Sequence, residues 1–296
     1  MAVHEAALHA PAAKPVVRSA PSLLRRCRRY PLPTLGVLIL AILITSAIAA
    51  PWIAKHDPYE MNVVDRLLAP TETYWFGTDA YGRDIFTRTL YGGRVSLIIG
   101  VSVAVASTLI GLIIGVVAGY FRLADAILMR IMDGLMAIPG ILLAIALMSL
   151  TRASMWIVIV AITIPEVPRV ARLVRSVVLS VREQVYIQAA TAVGTRFPRM
   201  MLKHILPNTL APLIVQATYV AASAVLVESY LSFLGVGTPP EIPSWGNIIA
   251  EGRLYVQISF GIILYPSIFL ALMVLSINIL GDGLRDMLDP RLARRL

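Results

Sequence analysis

Six apolar runs of membrane-crossing length constrain this chain more than any other feature. They fall near 35–54, 97–119, 129–150, 155–176, 210–228 and 260–280. About 20 such residues cover roughly 30 Å of hydrocarbon at 1.5 Å per residue. The first run could be taken for a signal peptide, with Ser46-Ala47-Ile48-Ala49 as a loose cleavage site. Its length favours a retained helix. Composition agrees with a membrane protein: 58% of the 296 residues are hydrophobic, 15% are charged and the mean hydropathy is +0.78, whereas soluble domains carry about 25% charged residues. The expected fold class is therefore an all-α integral membrane protein with six transmembrane helices.

Charge sets the expected orientation. If both ends lie inside, 19 of the 26 Lys and Arg residues fall on inside segments and 7 outside, as basic residues near span ends resist translocation. The net charge of +9 is spread between spans, which excludes a nucleic-acid reading head. The lone Cys27 excludes an intrachain disulfide and a cysteine metal cluster.

The longest basic stretch between spans is 168–209, with Arg169, Arg172, Arg175, Arg182, Arg196, Arg199 and Lys203 against one acid, Glu183. Within it a helix would carry Gln188, Ala189 and Ala190, with Gly194 four residues beyond Ala190 on one face. The turn at Gly194-Thr195 and Pro198 predict a second short helix ending near Leu206-Pro207-Asn208. Two short helices with small residues make a shallow docking surface; the plain alternative is a linker that merely obeys the charge bias. This pattern resembles the EAA loop of permease subunits from binding-protein-dependent ABC importers. Ala189, Ala190, Gly194, Leu206 and Pro207 match, while Gln188 stands where that family has Glu.

Residues 55–96 form an expected outer segment, in which Asp79, Arg83 and Asp84 can build an ion-paired turn around Gly82, followed by an amphipathic interfacial helix. Gly77-Thr78-Asp79, Gly82-Arg83-Asp84, Arg88 and Arg94-Val95-Ser96-Leu97 resemble the N-terminal signature of the C-type subunit in the dipeptide, oligopeptide and nickel branch of these permeases. Leu231-Ser232-Phe233-Leu234-Gly235-Val236-Gly237 with Pro243-Ser244-Trp245-Gly246-Asn247, and Asn278-Ile279-Leu280-Gly281-Asp282-Gly283-Leu284-Arg285-Asp286, resemble the same branch. The likeness runs from about residue 33 to 292.

Charges near the spans carry open readings. Asp133 is expected to pair with Arg130, or to line a transport path. Glu166 is expected to pair with Arg169 at the rim, with a pathway role as the alternative. Pro139-Gly140 should break the third span, and Pro165 and Pro168 should bend the fourth. Asp282, Arg285 and Asp286 are spaced for pairing on a short helix after the last span.

Catalysis has little to stand on. There is no Gly-x-x-x-x-Gly-Lys-Ser/Thr loop and no His-Glu-x-x-His pair, and Ser232 and Ser244 have no adjacent acid–base partner. The resemblance implies a five-helix permease core plus one N-terminal helix. It divides the chain into an N-terminal tail (1–32), a first helix with outer segment (33–96), a core with its coupling loop at 177–209 (97–280) and a C-terminal tail (281–296). It implies no enzyme activity, no metal and no cofactor in this chain. ATP and Mg would bind to two ABC ATPase domains or subunits, beside a second, B-type permease and an external binding protein. The membrane would be the bacterial inner membrane. Dipeptides or short oligopeptides are the expected substrate, with nickel, glutathione or longer peptides as alternatives. A secondary transporter or membrane assembly factor is the reading from another class.

Overall fold

The computed structural model describes residues 31–151 and 153–288. Most of the expected N-terminal tail with Cys27, Arg152 and the chain beyond Leu288 lie outside them. Among the described residues the fold is helical, with one isolated antiparallel bridge between Thr78 and Asp84. The helices are α1 (Pro31–Ile48), α2 (Ala50–Ile53), α3 (Ile85–Tyr120), α4 (Arg122–Ala137), α5 (Gly140–Ser149) and α6 (Met155–Arg182). They continue with α7 (Val185–Ala192), α8 (Phe197–Met200), α9 (Leu206–Phe233), α10 (Trp245–Gly252) and α11 (Gly261–Leu288).

Among the described residues, four helical stretches are long and apolar enough to cross a membrane: α1, α3, the continuous run Phe197–Phe233 and α11. Helices α4 and α5 form a fifth if taken as one broken span, bent by 86°. Pro139 lies at that break, where its missing N–H and its ring forbid a continuous helix. By length and apolar composition, four or five of the six expected spans are thus counted among the described residues. The difference is α6, which has 28 residues but carries Glu166, Arg169 and Arg172 among its first eighteen.

Three expected boundaries also move. The segment before residue 97 is no separate interfacial helix, because α3 starts at Ile85 and runs for 36 residues, about 54 Å at 1.5 Å per residue. Asp84 starts it by accepting hydrogen bonds from Phe86 N, Thr87 N and Thr87 Oγ1. The short helix expected to end near Leu206-Pro207 instead runs on into α9 through a π turn at Met201–Ile205. In that turn Leu206 N reaches back to Met201 O, and the widened turn lets Pro207 enter a helix without losing a regular bond. Likewise α11 continues past Gly281 to Leu288, so Asp282, Arg285 and Asp286 extend a span. Asp282 accepts a hydrogen bond from Tyr219 of α9.

The tightest seam joins α3 to α6. Gly111, Gly115 and Gly119 are spaced by four, and Cβ atoms built on them would meet Val170, Val174 and Val178 Cβ at 2.6, 2.6 and 2.7 Å. Bare backbone there lets the helices approach by dispersion contact, the usual adhesive where both are already in lipid. Val95, Ile99, Val103, Val158, Ile162, Val170, Val220 and Ala224 fill the main core beside that seam. A second cluster, including Leu43, Val225, Trp245, Met273 and Ile277, ties α1, α9, α10 and α11 together.

Candidate functional site

Two constructions stand at opposite ends of α3. At its C-terminal end, α7 and α8 make the helix pair expected from the sequence. Helix α7 ends with Thr195 N bonded to Ala190 O at 3.0 Å and Gly194 N to Thr191 O at 2.9 Å. This reciprocal closure needs a left-handed residue, and Gly194 supplies it with φ +77°. Ile187, Met200, Met201 and Ile205 anchor the pair in the core. Gln188 and Ala189 face outward, and Ala190 is half-buried. The Gln188 amide donates to Glu183 O at 3.2 Å. Val185, Val193 and Leu202 are exposed, at 80%, 86% and 66%, beside exposed Arg196 and Arg199. Leu206 is half-buried and Pro207 exposed in the first turn of α9.

The pair is strapped to the helix bundle. Arg182 Nη1 donates to Gly119 O at 2.8 Å and Tyr120 O at 3.0 Å, satisfying carbonyls that α3 leaves open at its end. Its guanidinium lies 5.1 Å from the Tyr120 ring. Phe197 packs on Tyr120 and Phe121 with ring centroids 4.7 and 5.2 Å apart. Arg175 forks onto Asp125 at 2.5 and 2.7 Å, joining α6 to α4.

Asp133 departs from its expected pairing: Arg172 Nη2 reaches it at 2.5 Å, and both are about half exposed. Arg130, three residues before Asp133 on α4, is exposed; the partner comes from α6 because α4 lies against it. Glu166 pairs with Arg169 at 3.1 Å and accepts a hydrogen bond from Ser223 Oγ of α9 at 3.3 Å. Its own side chain is 8% exposed, so it sits inside the bundle.

The other construction, a cap, covers the N-terminus of α3. Gly77 and Gly82 hold φ of +77° and +76°, and a Cβ on Gly82 would lie 1.7 Å from Asn62 O. The Thr78 hydroxyl donates to Asp65 O and accepts from Leu68 N. Asp79 Oδ2 takes Arg83 Nε at 2.7 Å and Arg88 Nη1 at 2.5 Å, while Asp79 Oδ1 takes Tyr81 N and Arg83 N. Glu251 of α10 receives both guanidinium groups from the far side. Tyr74 donates to Asp65 at 2.9 Å, and this bond, followed by burial, pushes its phenol above the ordinary range. The sequence reading found the Asp79–Arg83 turn and missed Glu251, because 163 residues separate it from Arg88.

A second polar knot was also missed. Glu228, fully buried in α9, accepts from Ser232 Oγ at 2.7 Å and Thr238 Oγ1 at 3.4 Å. Thr238 Oγ1 also lies 3.2 Å from Ser244 Oγ, and Asn247 Nδ2 spans Thr238, Pro239 and Ile242. Ser232 and Ser244 therefore fasten the 234–247 turn to α9. Trp245 completes the joint by donating Nε1 to Thr89 O at 2.9 Å.

No group of three His, Cys, Asp or Glu among the described residues could hold a metal. What remains is a multi-span helical bundle with a strapped helix pair at one end and a knotted cap at the other, the build of a membrane permease. Residues 107–294 match the family model of the binding-protein-dependent transport system inner membrane component, and 22–70 match the N-terminal TM domain of oligopeptide transport permease C. The chain is 55% identical over 274 residues to a probable peptide ABC transporter permease protein of Sinorhizobium fredii, covering 93% of this chain and 94% of that one. It is 41% identical to the dipeptide transport system permease protein of Alkalihalophilus pseudofirmus, covering 90% and 88%. Among solved structures, one of the inward-facing MetNI methionine ABC transporter superposes with TM-score 0.58 at 23% identity, covering 69% of this chain and 98% of that one, a likeness of fold. The chain belongs to the family of binding-protein-dependent ABC importer permeases, in the branch of the oligopeptide and dipeptide C-type subunits. It is the transmembrane permease component of an ABC importer and not its ATPase.

Proposed function

We propose that this permease imports dipeptides or short oligopeptides handed over by an external binding protein, as one half of a pore completed by a B-type permease. Two ABC ATPase domains or subunits on the inner side of a bacterial inner membrane would supply the energy, binding ATP and Mg themselves. The relatives carry peptide and dipeptide permease names over about nine-tenths of this chain, which supports the substrate class. Six spans with both ends inside are favoured by the charge bias and by α6. That helix lies against α3 through Gly111, Gly115 and Gly119, and a helix packed along a span traverses the same depth. Glu166 and Arg169 pair within it, which reduces the cost of carrying charge there. The five-helix core would then exclude α1.

The observation that carries this reading is the outward face of α7 and α8. Gln188, Ala189, Gly194, Arg196 and Arg199 lie on it, with open space where a Gly194 side chain would project. In this proposal the face docks in the ATPase, and Gln188 offers an amide where relatives in the wider family present a carboxylate. The cap at 55–84 and the 234–258 turn receive the binding protein at the other end. Gly194→Leu tests the docking. It should leave the amount of permease in the membrane unchanged while abolishing radiolabelled dipeptide uptake and weakening ATPase co-purification. Full uptake by that variant would reduce the face to a linker, and lost nickel uptake with intact peptide uptake in a deletion strain would reverse the substrate.

A further inference from the structure

A wholly apolar groove of roughly 360 Å³ runs between the N-terminal helix and the bundle. Ile39, Ile42, Leu43 and Ser46 of α1 form one wall, and Phe86 of α3 and Leu272 of α11 face them. Ser46 adds no polarity because its hydroxyl donates to Leu43 O at 2.9 Å. The volume lies in the range of ligand pockets.

The groove does not end blindly. Ile53 and Phe86 also line an adjoining recess of about 10 Å³, room for one water, whose other walls are Lys55, Thr73, Trp75 and Asp84. The apolar groove therefore ends beside the exposed Lys55 side chain. The Lys55 ammonium lies 4.9 Å from the Trp75 ring centroid, and among the described residues it makes no ion pair. Asp84 keeps its negative charge in the recess, with both carboxylate oxygens turned onto the first turn of α3, so an anion is favoured on the open side of Lys55 and not within the recess. Trp52, 80% exposed on α2, and Trp75 mark this level as headgroup depth, where amphipathic rings collect.

From this continuity we infer that the groove is a binding site for one anionic glycerophospholipid, with an acyl chain along α1 and its phosphate on the exposed ammonium of Lys55, outside the recess. The bordering side chains explain why a lipid suits it better than a partner helix. Ile, Leu and Phe stand along the groove, whereas a helix seated there would need small residues to bring backbones together. An acyl chain bends around such side chains. The bound lipid would seal the seam by which α1 joins the bundle.

Native mass spectrometry of the full permease–ATPase complex, released from nanodiscs of phosphatidylglycerol or of phosphatidylethanolamine, tests the site. One phosphatidylglycerol per copy of this chain should be retained in preference to phosphatidylethanolamine. Lys55→Gln should lower its retention about fivefold, the worth of one basic contact with an anionic headgroup, and Lys55→Arg should restore it. Ser46→Phe, which fills the groove, should abolish retention while the subunits stay assembled. A photoreactive side chain at Ile42 should cross-link to lipid. Equal retention by wild type, Lys55→Gln and Ser46→Phe, equal retention of the two headgroups, or cross-linking of position 42 to protein would each overturn the assignment.

Discussion

Asp79→Asn is the sharpest probe of the cap, since it deletes one charge and preserves shape. Asp79 is 2% exposed and faces donors on both oxygens: two guanidinium groups on Oδ2 and two backbone N–H groups on Oδ1. In either orientation an asparagine amide must point its NH₂ at donors. Arg88, 1% exposed, would keep only Glu251 as an anionic partner. Breaking a buried pair from one side costs about 3–5 kcal/mol, because the remaining charge is stranded. Glu251→Gln should cost less, about 1.5–3 kcal/mol, because that side chain is 22% exposed and water can replace part of what is lost. Adding Arg88→Met to Asp79→Asn removes the stranded charge and should recover part of the loss, a non-additivity of about 0.5–3 kcal/mol. Unfolding of the purified protein by dodecyl sulfate in mixed micelles, followed by tryptophan fluorescence, reads these three variants and the single Arg88→Met that closes the cycle. An Asp79→Asn cost within about 1 kcal/mol of zero would fall below even the low end of that range. That result, or strict additivity of the double variant, would refute the reasoning.

Three further outcomes follow from other contacts. Gly115→Leu should sharply lower the melting temperature, since even its Cβ would stand 2.6 Å from Ala171 O, whereas Gly134→Leu, with open space at its Cβ, should not; equal melting of the two would dissolve the α3–α6 seam. Tyr74 should ionise above the ordinary tyrosine range in an absorbance titration. Its folded pKa is raised, so its contribution to stability is whole below the unfolded pKa and fades as pH rises through the folded one; titration with the exposed tyrosines would contradict the Asp65 bond. Arg182→Met should expose 183–196 to protease while the melting temperature changes little, and unchanged cleavage would mean that the Gly119 and Tyr120 carbonyls do not hold the helix pair.

What the sequence made legible was whatever depends on local pattern. The apolar runs marked α1, α3, α9 and α11, Pro139-Gly140 marked the break, and Gly194 marked the turn, because each is decided within a few residues. The start of α3 escaped because Tyr91, Gly92 and Arg94 look interfacial by composition, while the fold covers Gly92 and Gly93 with Trp245 from far along the chain. Glu251, Glu228 and the Asp133–Arg172 pair escaped for the same reason: their partners are chosen by packing, and sequence spacing offered Arg130 instead. The spacing of Gly111, Gly115 and Gly119 was in plain view and is a local signal for close helix approach. It went unread because those residues lie inside an apolar run already assigned to a span.

That seam bears on how the proposed coupling would work. Force applied to α7 and α8 meets Arg182 and Phe197, which hold the C-terminal end of α3. It cannot slide α3 along α6 without driving glycine backbone over Val170, Val174 and Val178. The two helices should therefore move as one body, and the compliant element must lie elsewhere. The 86° break between α4 and α5 is the place the covalent chain offers. Its far side packs on α6 through apolar contacts alone, with Gly140 at Pro165 and buried Ala144 and Met148 in the cluster of Val158 and Ile162, while its near side is also held to α6 by Arg175–Asp125 and Arg172–Asp133. In the proposed transport cycle, rocking the α3–α6 body would open or close the angle at Pro139 while the two ion pairs keep α4 attached. Disulfide trapping separates this from a sliding mechanism. A cross-link between cysteines placed on the lipid-facing edges of α3 and α6 should permit uptake, and one bridging α4 to α5 across the bend should arrest it. Uptake blocked by the first and spared by the second would mean that the seam slides and the bend is static.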